Sequence, residues 1–235
     1  MGCSDSSVII VAGGKGERLG GDVRKQYLKL SGRSILGHTV RTFAGLEEIG
    51  EIVVAAPGDD IEFISKELLP VDLDEYASDK AIKVIRGGET RQDSARAGLA
   101  ALDVSSRVVL IHDAVRPFTQ REHILQVIER AREYGGSILA VPVNDTLKCC
   151  EKGFVTRTIP RDGLYAAQTP QAFDVAKLRR AHDLASSQGL RVTDDASLFE
   201  ELGYEVSVVI GSALNIKITT EEDLALARMI LEISK

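Results

Sequence analysis

Short apolar segments that resemble β-strands alternate with longer amphipathic segments along the 235-residue chain. This alternation restricts the fold more than any other feature. Several of the apolar segments are almost unbroken runs of Val, Ile and Leu, which is typical of strands buried on both faces of a parallel sheet. The predicted strands are Val8–Ala12, Ile52–Ala56, Ile82–Ile85, Val108–Ile111, Ile138–Val141, Val206–Ile210 and Ile216–Ile218.

Helical periodicity separates these strands. The predicted helices are Ile35–Leu46, Asp60–Leu69, Arg91–Leu102, Gln120–Tyr134, Val175–Ser187, Asp195–Leu202 and Glu221–Ile233. The last has a clear start signal, because Thr219 as N-cap places Glu222 at the third helical position and forms a capping box. Strands that alternate with helices predict an α/β fold with a doubly wound, mostly parallel sheet.

The region from 143 to 168 breaks this alternation. It lacks a helical period and contains a β-type run, Phe154–Ile159, after the turn residues Glu151–Gly153. We interpret it as a two-stranded β-arm that projects from one domain covering residues 1–235. An isolated two-stranded ribbon is only marginally stable in water. We therefore expect a second copy of the chain to stabilise the arm, which makes the protein a homodimer.

Composition and charge exclude several function classes. The chain has 29 Lys and Arg against 35 Asp and Glu, a net charge of -6, which argues against a protein that coats nucleic acid or an anionic membrane. No apolar run approaches the ~18 residues of a membrane span, and Val8–Ala12 is shorter than the roughly 7–15 residues of a signal-peptide core. The three cysteines, Cys3, Cys149 and Cys150, have neither disulfide nor zinc-site spacing. We expect free thiols in the cytoplasm.

A glycine-rich loop, Gly13–Arg18, directly follows the first predicted strand. Ligands of open α/β sheets bind beyond the carboxyl ends of the strands, and glycines there bring backbone N–H groups close to an anion. The alternative is an ordinary turn, since the loop matches neither the P-loop nor the dinucleotide pattern, with Leu19 at the third glycine position. The cations Arg18 and Lys25 favour phosphate binding over plain surface charge.

An acidic residue ends the fourth predicted strand, in the block His112–Pro117. Asp113 there would face the glycine loop, where one carboxylate, substrate phosphates and water suit Mg²⁺. The alternative for Asp113 is a loop-capping carboxylate. For His112, a structural hydrogen bond is as good an interpretation as a chemical role.

Two further blocks are candidates for the same site. In Gly87–Ser94 a pair of glycines precedes a polar helix start, which suits contact with a nucleobase or ribose, although Thr90 as a plain N-cap explains much of it. Lys217 lies within an apolar run, where a lone cation is costly to bury, so it either snorkels to water or reaches into an anionic site. The pair Asp194–Asp195 caps the next helix or adds to the site.

These groups together suggest chemistry at phosphorus. The sequence has no Gly-x-Ser-x-Gly elbow, and Ser94 has no evident base. An Arg, two Lys and an Asp fit direct displacement, where catalysis is mostly positioning and charge stabilisation.

The blocks form an ordered signature. The chain resembles the 2-C-methyl-D-erythritol 4-phosphate cytidylyltransferases of the non-mevalonate isoprenoid pathway over residues 8 to about 230. The matching blocks are Ala12–Arg18, Lys25–Leu28, Gly87–Ser94, His112–Pro117, Asp145–Lys148, Gln168–Phe173, Thr193–Ser197 and Asn215–Thr220. Each block is weak by itself, whereas eight in order are specific.

The resemblance implies Rossmann-like subunits that lend a β-arm to each other in a homodimer. It implies CTP and a polyol phosphate as substrates and Mg²⁺ as cofactor. Carried over by position, the catalytic residues are Arg18, Lys25 and Lys217, and the metal ligand is Asp113. The implied nucleotide-binding residues are Ala12, Gly13, Gly14, Gly16, Gly88, Glu89 and Ser94. The implied acceptor-binding residues are Arg116, Thr146, Arg161, Thr169 and Thr193, of which Thr146 and Arg161 on the arm serve the other subunit.

Three positions depart from the family pattern. Arg24 replaces a frequent Pro, Tyr165 replaces Trp, and Val11 replaces Ala. None removes a catalytic group. The main alternative is a ribitol-5-phosphate or other polyol phosphate cytidylyltransferase, which shares several blocks. A nucleotide-binding regulator without catalysis would not need the full set of Arg18, Lys25, Asp113 and Lys217, and the missing third glycine disfavours a dehydrogenase.

Overall fold

A mostly parallel sheet forms the centre of the molecule. The structure, a computed structural model, describes residues 4–13, 23–73, 80–103 and 106–233. Within these residues seven strands form one sheet in the order β11-β7-β10-β6-β1-β4-β5. They are β1 (Ser6–Val11), β4 (Ile49–Ala56), β5 (Ala81–Arg86), β6 (Val108–Asp113), β7 (Gly136–Pro142), β10 (Tyr165–Asp174) and β11 (Ser207–Ile210).

Short strands and helices complete the described chain. Two small hairpins lie outside the main sheet, β2 (Lys29–Leu30) with β3 (Arg33–Ser34) and β8 (Leu147–Glu151) with β9 (Phe154–Ile159). The helices are α1 (Ile35–Ala44), α2 (Ile61–Phe63), α3 (Leu69–Leu73), α4 (Arg91–Ala101), α5 (Arg121–Tyr134), α6 (Val175–Gln188), α7 (Asp195–Glu201) and α8 (Glu221–Ile233). No helix in the described ranges is long and apolar enough to cross a membrane.

Helices cover both faces of the sheet, which confirms the predicted doubly wound α/β fold. Strand β1 illustrates why its sequence is continuously apolar. Val8 and Ile10 join a core that includes residues of α1 and α5, whereas Ile9 joins the opposite core with residues of α4, α6 and α7. All three side chains are fully buried, because successive residues of a strand point to opposite faces.

The sheet is parallel except for β10, which runs antiparallel to both β6 and β7. The chain passes from β1 to β4 and β5 on one side and then returns to β6 on the other side of β1. The carboxyl ends of β1 and β6 therefore meet at a switch point of the sheet, where ligands of such folds bind.

The predicted strand Ile216–Ile218 was wrong. The segment is not part of a β-ladder; instead the Ile218 N–H donates to the Val115 carbonyl at 2.9 Å. Ile218 is nevertheless fully buried in a small cluster with Val115. Burial against a loop thus explains the apolar pattern that suggested a strand.

Two helix predictions also differ from the structure. The capping box of α8 begins one residue later than predicted, because Thr220 and Asp223 exchange the reciprocal bonds, at 2.9 and 3.2 Å. The predicted helix Asp60–Leu69 is present but runs from Ile61 to Leu73 without a break, and it contains a π-helical segment, Ile64–Leu68. Pro70 lacks an N–H, and in a regular α-helix its ring would collide with the preceding turn. The wider turn of the π-helical segment gives the ring room.

The β-arm is a hairpin of β8 and β9. Lys152 and Gly153 form its turn with φ values of 50° and 86°, the left-handed conformation that matches a tight hairpin and suits glycine. The hairpin is shorter than the predicted region 143–168, because Tyr165 pairs with Pro142 in the main sheet. Its strands are largely exposed to solvent.

Candidate active site

A cleft of about 300 Å³ opens at the carboxyl ends of β1 and β6. Elements distant in sequence contribute to it, since parallel strands end at one edge of a sheet. Its described lining includes eight residues predicted for the site: Ala12, Gly13, Lys25, Gly88, Glu89, Ser94, Asp113 and Lys217. The predicted residues Gly14, Gly16 and Arg18 lie outside the described residues.

Ser94 connects the glycine loop to the second glycine pair. Its Oγ accepts the Gly88 N–H at 3.2 Å and donates to the Thr90 carbonyl at 2.9 Å. A Cβ added at Gly13 would lie 3.3 Å from the same Oγ. The serine is thus committed to positioning the backbone of this wall, and Thr90 caps α4 as predicted, in a capping box with Asp93.

Lys25 begins a single turn of 3-10 helix, Lys25–Tyr27. The turn is attached to the end of β1, because the buried Gln26 side chain donates to the Ala12 carbonyl at 2.7 Å. Gln26 belongs to the block Lys25–Leu28, for which the resemblance implies a role of Lys25 only. Its function here is to hold the Lys25 turn against the glycine loop.

Asp113 is the centre of charge of the cleft. One carboxylate oxygen, Oδ2, lies 2.9 Å from Lys217 Nζ and 3.4 Å from Arg116 Nε. The other, Oδ1, lies 3.4 Å from Arg91 Nε. Burial raises the pKa of Asp113, but the three cations, led by Lys217 and Arg91, outweigh burial and hold that pKa well below its usual range. The carboxylate is therefore ionised at neutral pH.

A buried chain of hydrogen bonds fixes Asp113 from behind. The Asp113 N–H donates to Thr169 Oγ1 at 3.0 Å, and this hydroxyl lies 3.1 Å from His112 Nδ1. Burial lowers the pKa of His112 to about 4, so the ring is neutral. Its Nε2–H donates to the Arg116 carbonyl at 3.0 Å, and Nδ1 accepts from Thr169. Of the two interpretations of His112, the structure supports the structural one.

The segment that holds Lys217 is anchored through Asn215, which is fully buried. Its side-chain amide donates to the Thr169 carbonyl at 3.0 Å and accepts from Thr119 Oγ1 at 3.0 Å. The Arg116 guanidinium donates to the Asn215 carbonyl at 2.7 Å. These bonds bring Lys217 to Asp113 although the two residues lie far apart in sequence, and Lys217 lines the cleft; its reach to a bound anion stays a prediction.

Sequence reasoning missed Arg91. Its guanidinium lines the cleft and bridges Asp113 and Asp195, the latter at 2.6 Å from Nη1. Asp195 is buried and also contacts His182 Nε2 at 3.1 Å. Arg91 is the first residue of α4, where the helix dipole disfavours a cation; that mismatch was the available signal.

The pair Asp194–Asp195 fulfils both of its predicted alternatives. Asp194 caps α7 by accepting the Ser197 N–H at 3.2 Å, and Asp195 joins the site through Arg91. Gln171 ties the pair to β10, since it donates to Asp194 Oδ2 at 2.7 Å and accepts the Asp195 N–H at 3.2 Å.

The predicted acceptor residues lie in three different environments. Arg116 contacts Asp113 beside the cleft. Thr169 is buried beneath it, with its hydroxyl engaged as described. Thr193 is exposed before α7, and Thr146 and Arg161 are exposed at the base of the arm, where Arg161 donates to the Asn144 carbonyl. Acceptor binding by these residues stays a prediction.

Comparisons with known proteins find relatives over nearly the whole length of the chain. The family model described as "2-C-methyl-D-erythritol 4-phosphate cytidylyltransferase" matches residues 6–233. Proteins of that name from Geotalea uraniireducens and Halalkalibacterium halodurans are 42% and 44% identical, each alignment covering 96% of both chains. The crystal structure of 4-diphosphocytidyl-2C-methyl-D-erythritol synthase from Anaerococcus prevotii superposes with a TM-score of 0.83 at 35% identity, covering 99% of this chain and 100% of that one.

Proposed function

The chain belongs to the 2-C-methyl-D-erythritol 4-phosphate cytidylyltransferase family, and we propose that it transfers CMP from CTP to 2-C-methyl-D-erythritol 4-phosphate. The products are 4-diphosphocytidyl-2-C-methyl-D-erythritol and pyrophosphate. The observation that carries the proposal is the cluster of Lys217, Arg91 and Arg116 around an ionised Asp113, beside Lys25 in the same cleft. A triphosphate needs such a concentration of positive charge beside backbone N–H groups.

The donor set of the cleft fits Mg²⁺. Asp113 is ionised and lines the cleft, and no group of three His, Cys, Asp or Glu side chains in the described residues could hold a metal by itself. Mg²⁺ is bound in this way by one or two carboxylates together with substrate phosphates and water. Asp113 would hold the ion, which when bound neutralises charge on the triphosphate.

The reaction is a displacement at the α-phosphorus of CTP. An oxygen of the acceptor's 4-phosphate forms the new P–O bond, and the bond to the bridging oxygen of the β-phosphate breaks, so pyrophosphate leaves with the electron pair. Lys25 and Lys217, together with Arg18, stabilise the negative charge that grows on the α-phosphate oxygens and the leaving group. Ala12, Gly13, Gly88 and Glu89 hold the nucleotide.

Lys217 has two partners in this scheme. Its ammonium contacts Asp113 at 2.9 Å. With a triphosphate in the cleft, Lys217 would exchange the carboxylate for the α-phosphate, while Arg91 and Arg116 would remain beside Asp113. Its 42% exposed side chain has the freedom for this exchange.

The arm completes the acceptor site in a homodimer. Arg116, Thr169 and Thr193 contribute from one subunit, and Thr146 and Arg161 bind the acceptor phosphate in the site of the other. The exposure of the hairpin supports this assignment, because Phe154 is 77% and Val155 61% exposed, and apolar side chains that are grouped at a surface favour a partner. The free thiols of Cys149 and Cys150 fit a cytoplasmic protein.

Pyrophosphate release tests this function. The purified protein is incubated with CTP and Mg²⁺, with methylerythritol 4-phosphate or ribitol 5-phosphate as parallel acceptors. We expect release with the first acceptor only. Release with ribitol 5-phosphate alone would refute the acceptor assignment, and silence with both acceptors in protein that binds CTP would refute catalysis.

A further inference from the structure

The residues on both sides of Lys25 contact a single carboxylate. Arg24 Nε lies 2.8 Å from Asp60 Oδ2, and the Tyr27 hydroxyl donates to the same oxygen at 2.7 Å. Asp60 belongs to the 3-10 turn Gly58–Asp60 that follows β4, so it reaches the Lys25 turn from a different part of the sheet.

The contact is sheltered from solvent. The Asp60 side chain is 20% exposed and Tyr27 is 9% exposed. The Tyr27 ring packs edge-on against Phe63, with ring centroids 5.5 Å apart. Burial and, to a smaller extent, the hydrogen bond to Asp60 raise the pKa of Tyr27. The hydroxyl therefore stays protonated near neutral pH and can donate to Asp60.

Gln26 holds the opposite side of the turn. It is 1% exposed and donates to the Ala12 carbonyl at the end of β1. Residues 24, 26 and 27 are therefore each fixed by a side-chain contact, while Lys25 lines the cleft. The segment 14–22 that precedes this turn lies outside the described residues.

We propose that Asp60 is a positioning residue for Lys25, acting through Arg24 and Tyr27. This inference rests on the proposed function. A cation that stabilises developing charge is effective only if it is held in place beforehand, and misplacement by about 1 Å costs on the order of 10²-fold in rate. The frequent Pro of the family at position 24 would offer no guanidinium to Asp60, so the ion pair belongs to this chain's own sequence.

The first test is the Asp60→Ala variant with Asp59→Ala as matched control. Asp59 is an exposed carboxylate in the same turn. We expect Asp60→Ala to lower kcat about 10- to 100-fold with a change of less than about threefold in the Kd of CTP. Asp59→Ala should equal wild type. Equal kcat for the two variants would overturn the proposal.

The second test combines Asp60→Ala with Lys25→Ala and measures single-turnover rates at high enzyme concentration. If Asp60 acts through Lys25, its replacement has no further effect once Lys25 is absent. The same fold loss in both backgrounds would show a general structural role and overturn the proposal. Tyr27→Phe and Arg24→Gln each remove one contact to Asp60 and should each lower kcat partially, which keeps the test decisive if Asp60→Ala does not fold.

The design separates the two proposals. A wild-type protein without activity, or a Lys25→Ala variant with wild-type kcat, would refute the proposed function or the role of Lys25 in it. An active wild type with a strong Lys25→Ala defect and a normal Asp60→Ala variant would refute the positioning role alone.

Discussion

The sheet edge around Asp113 and the hairpin of β8 and β9 differ in how far their side chains are buried and bonded within their own chain. At the sheet edge, Asp113, His112, Thr169 and Asn215 are buried and bonded to one another or to neighbouring backbone. On the hairpin, large apolar side chains such as Phe154 face solvent. The charge cluster around Asp113 is complete within one chain, whereas the exposed apolar side chains of the arm become buried only against a second surface. This difference agrees with the proposed dimer.

The largest expected effect belongs to the sheet edge. Lys25→Ala should lower kcat about 10²- to 10³-fold, as does the loss of one group that stabilises transition-state charge, and should weaken CTP binding far less. Steady-state kinetics and calorimetric CTP binding measure the two. Lys66→Ala, which removes a lysine that is 71% exposed, is the control. Equal losses in kcat and CTP affinity would contradict the role of Lys25.

The second prediction concerns the pH dependence of stability that follows from the burial of His112 at the sheet edge. Between pH 6.5 and about 4 the unfolded chain binds a proton at His112 that the folded protein does not, because burial lowers the folded pKa to about 4. The contribution of His112 to the free energy of unfolding is therefore fully present above pH 6.5. It falls by about 3 kcal/mol as the pH falls to about 4.

Denaturant titrations across this pH range measure that loss. Burial also lowers the pKa of His38, which adds to the slope in the same direction. His112→Gln should therefore flatten the pH dependence without abolishing it. An unchanged slope in that variant would show that His112 titrates normally in the folded protein.

A complementation experiment tests the arm. Arg161→Ala should raise the KM for the acceptor about 10- to 100-fold, the effect of losing a charge-assisted hydrogen bond, and should spare CTP binding. When these chains are mixed in equal amounts with Lys25→Ala chains, half of the dimers are heterodimers. One of the two sites in each heterodimer is intact, so about a quarter of all sites should recover activity.

Two observations complete that test. Arg157→Ala, an exposed arginine on β9, should leave the acceptor KM unchanged. No recovery in confirmed heterodimers would show that each site is built from one chain. The proposed dimer with shared sites would then no longer explain why the arm is exposed.

The smallest effect compares two glycines. A Cβ at Gly98 on α4 would lie 2.4 Å from Ile9 Cγ2, so Gly98→Ala should lower the free energy of unfolding by about 1–3 kcal/mol. Gly153→Ala meets no atom within 4 Å and costs only the left-handed conformation, about 1 kcal/mol, confined to the arm. Thermal unfolding should show a clear fall in Tm for Gly98→Ala only. A larger fall for Gly153→Ala would contradict the independence of the arm.

The sequence alone determined the fold class and most of the cleft. Continuous apolar strands such as Val8–Ala12 can be buried on both faces only in a helix-covered sheet, and this ordering brings the strand ends that carry Gly13 and Asp113 to one edge. The capping of α4 by Thr90 was likewise readable, because capping depends on residues adjacent in sequence.

Only the tertiary structure decided the contacts between distant segments. Arg91 bridging Asp113 and Asp195, and Asp60 bonding to Arg24 and Tyr27, depend on how separate loops approach after folding. The apolar run Ile216–Ile218 was wrongly predicted to be a strand, because burial against the loop at Val115 produces the same apolar pattern as burial in a sheet. Local periodicity reports that a residue is buried, whereas the partner against which it is buried is set by the packing of the whole chain.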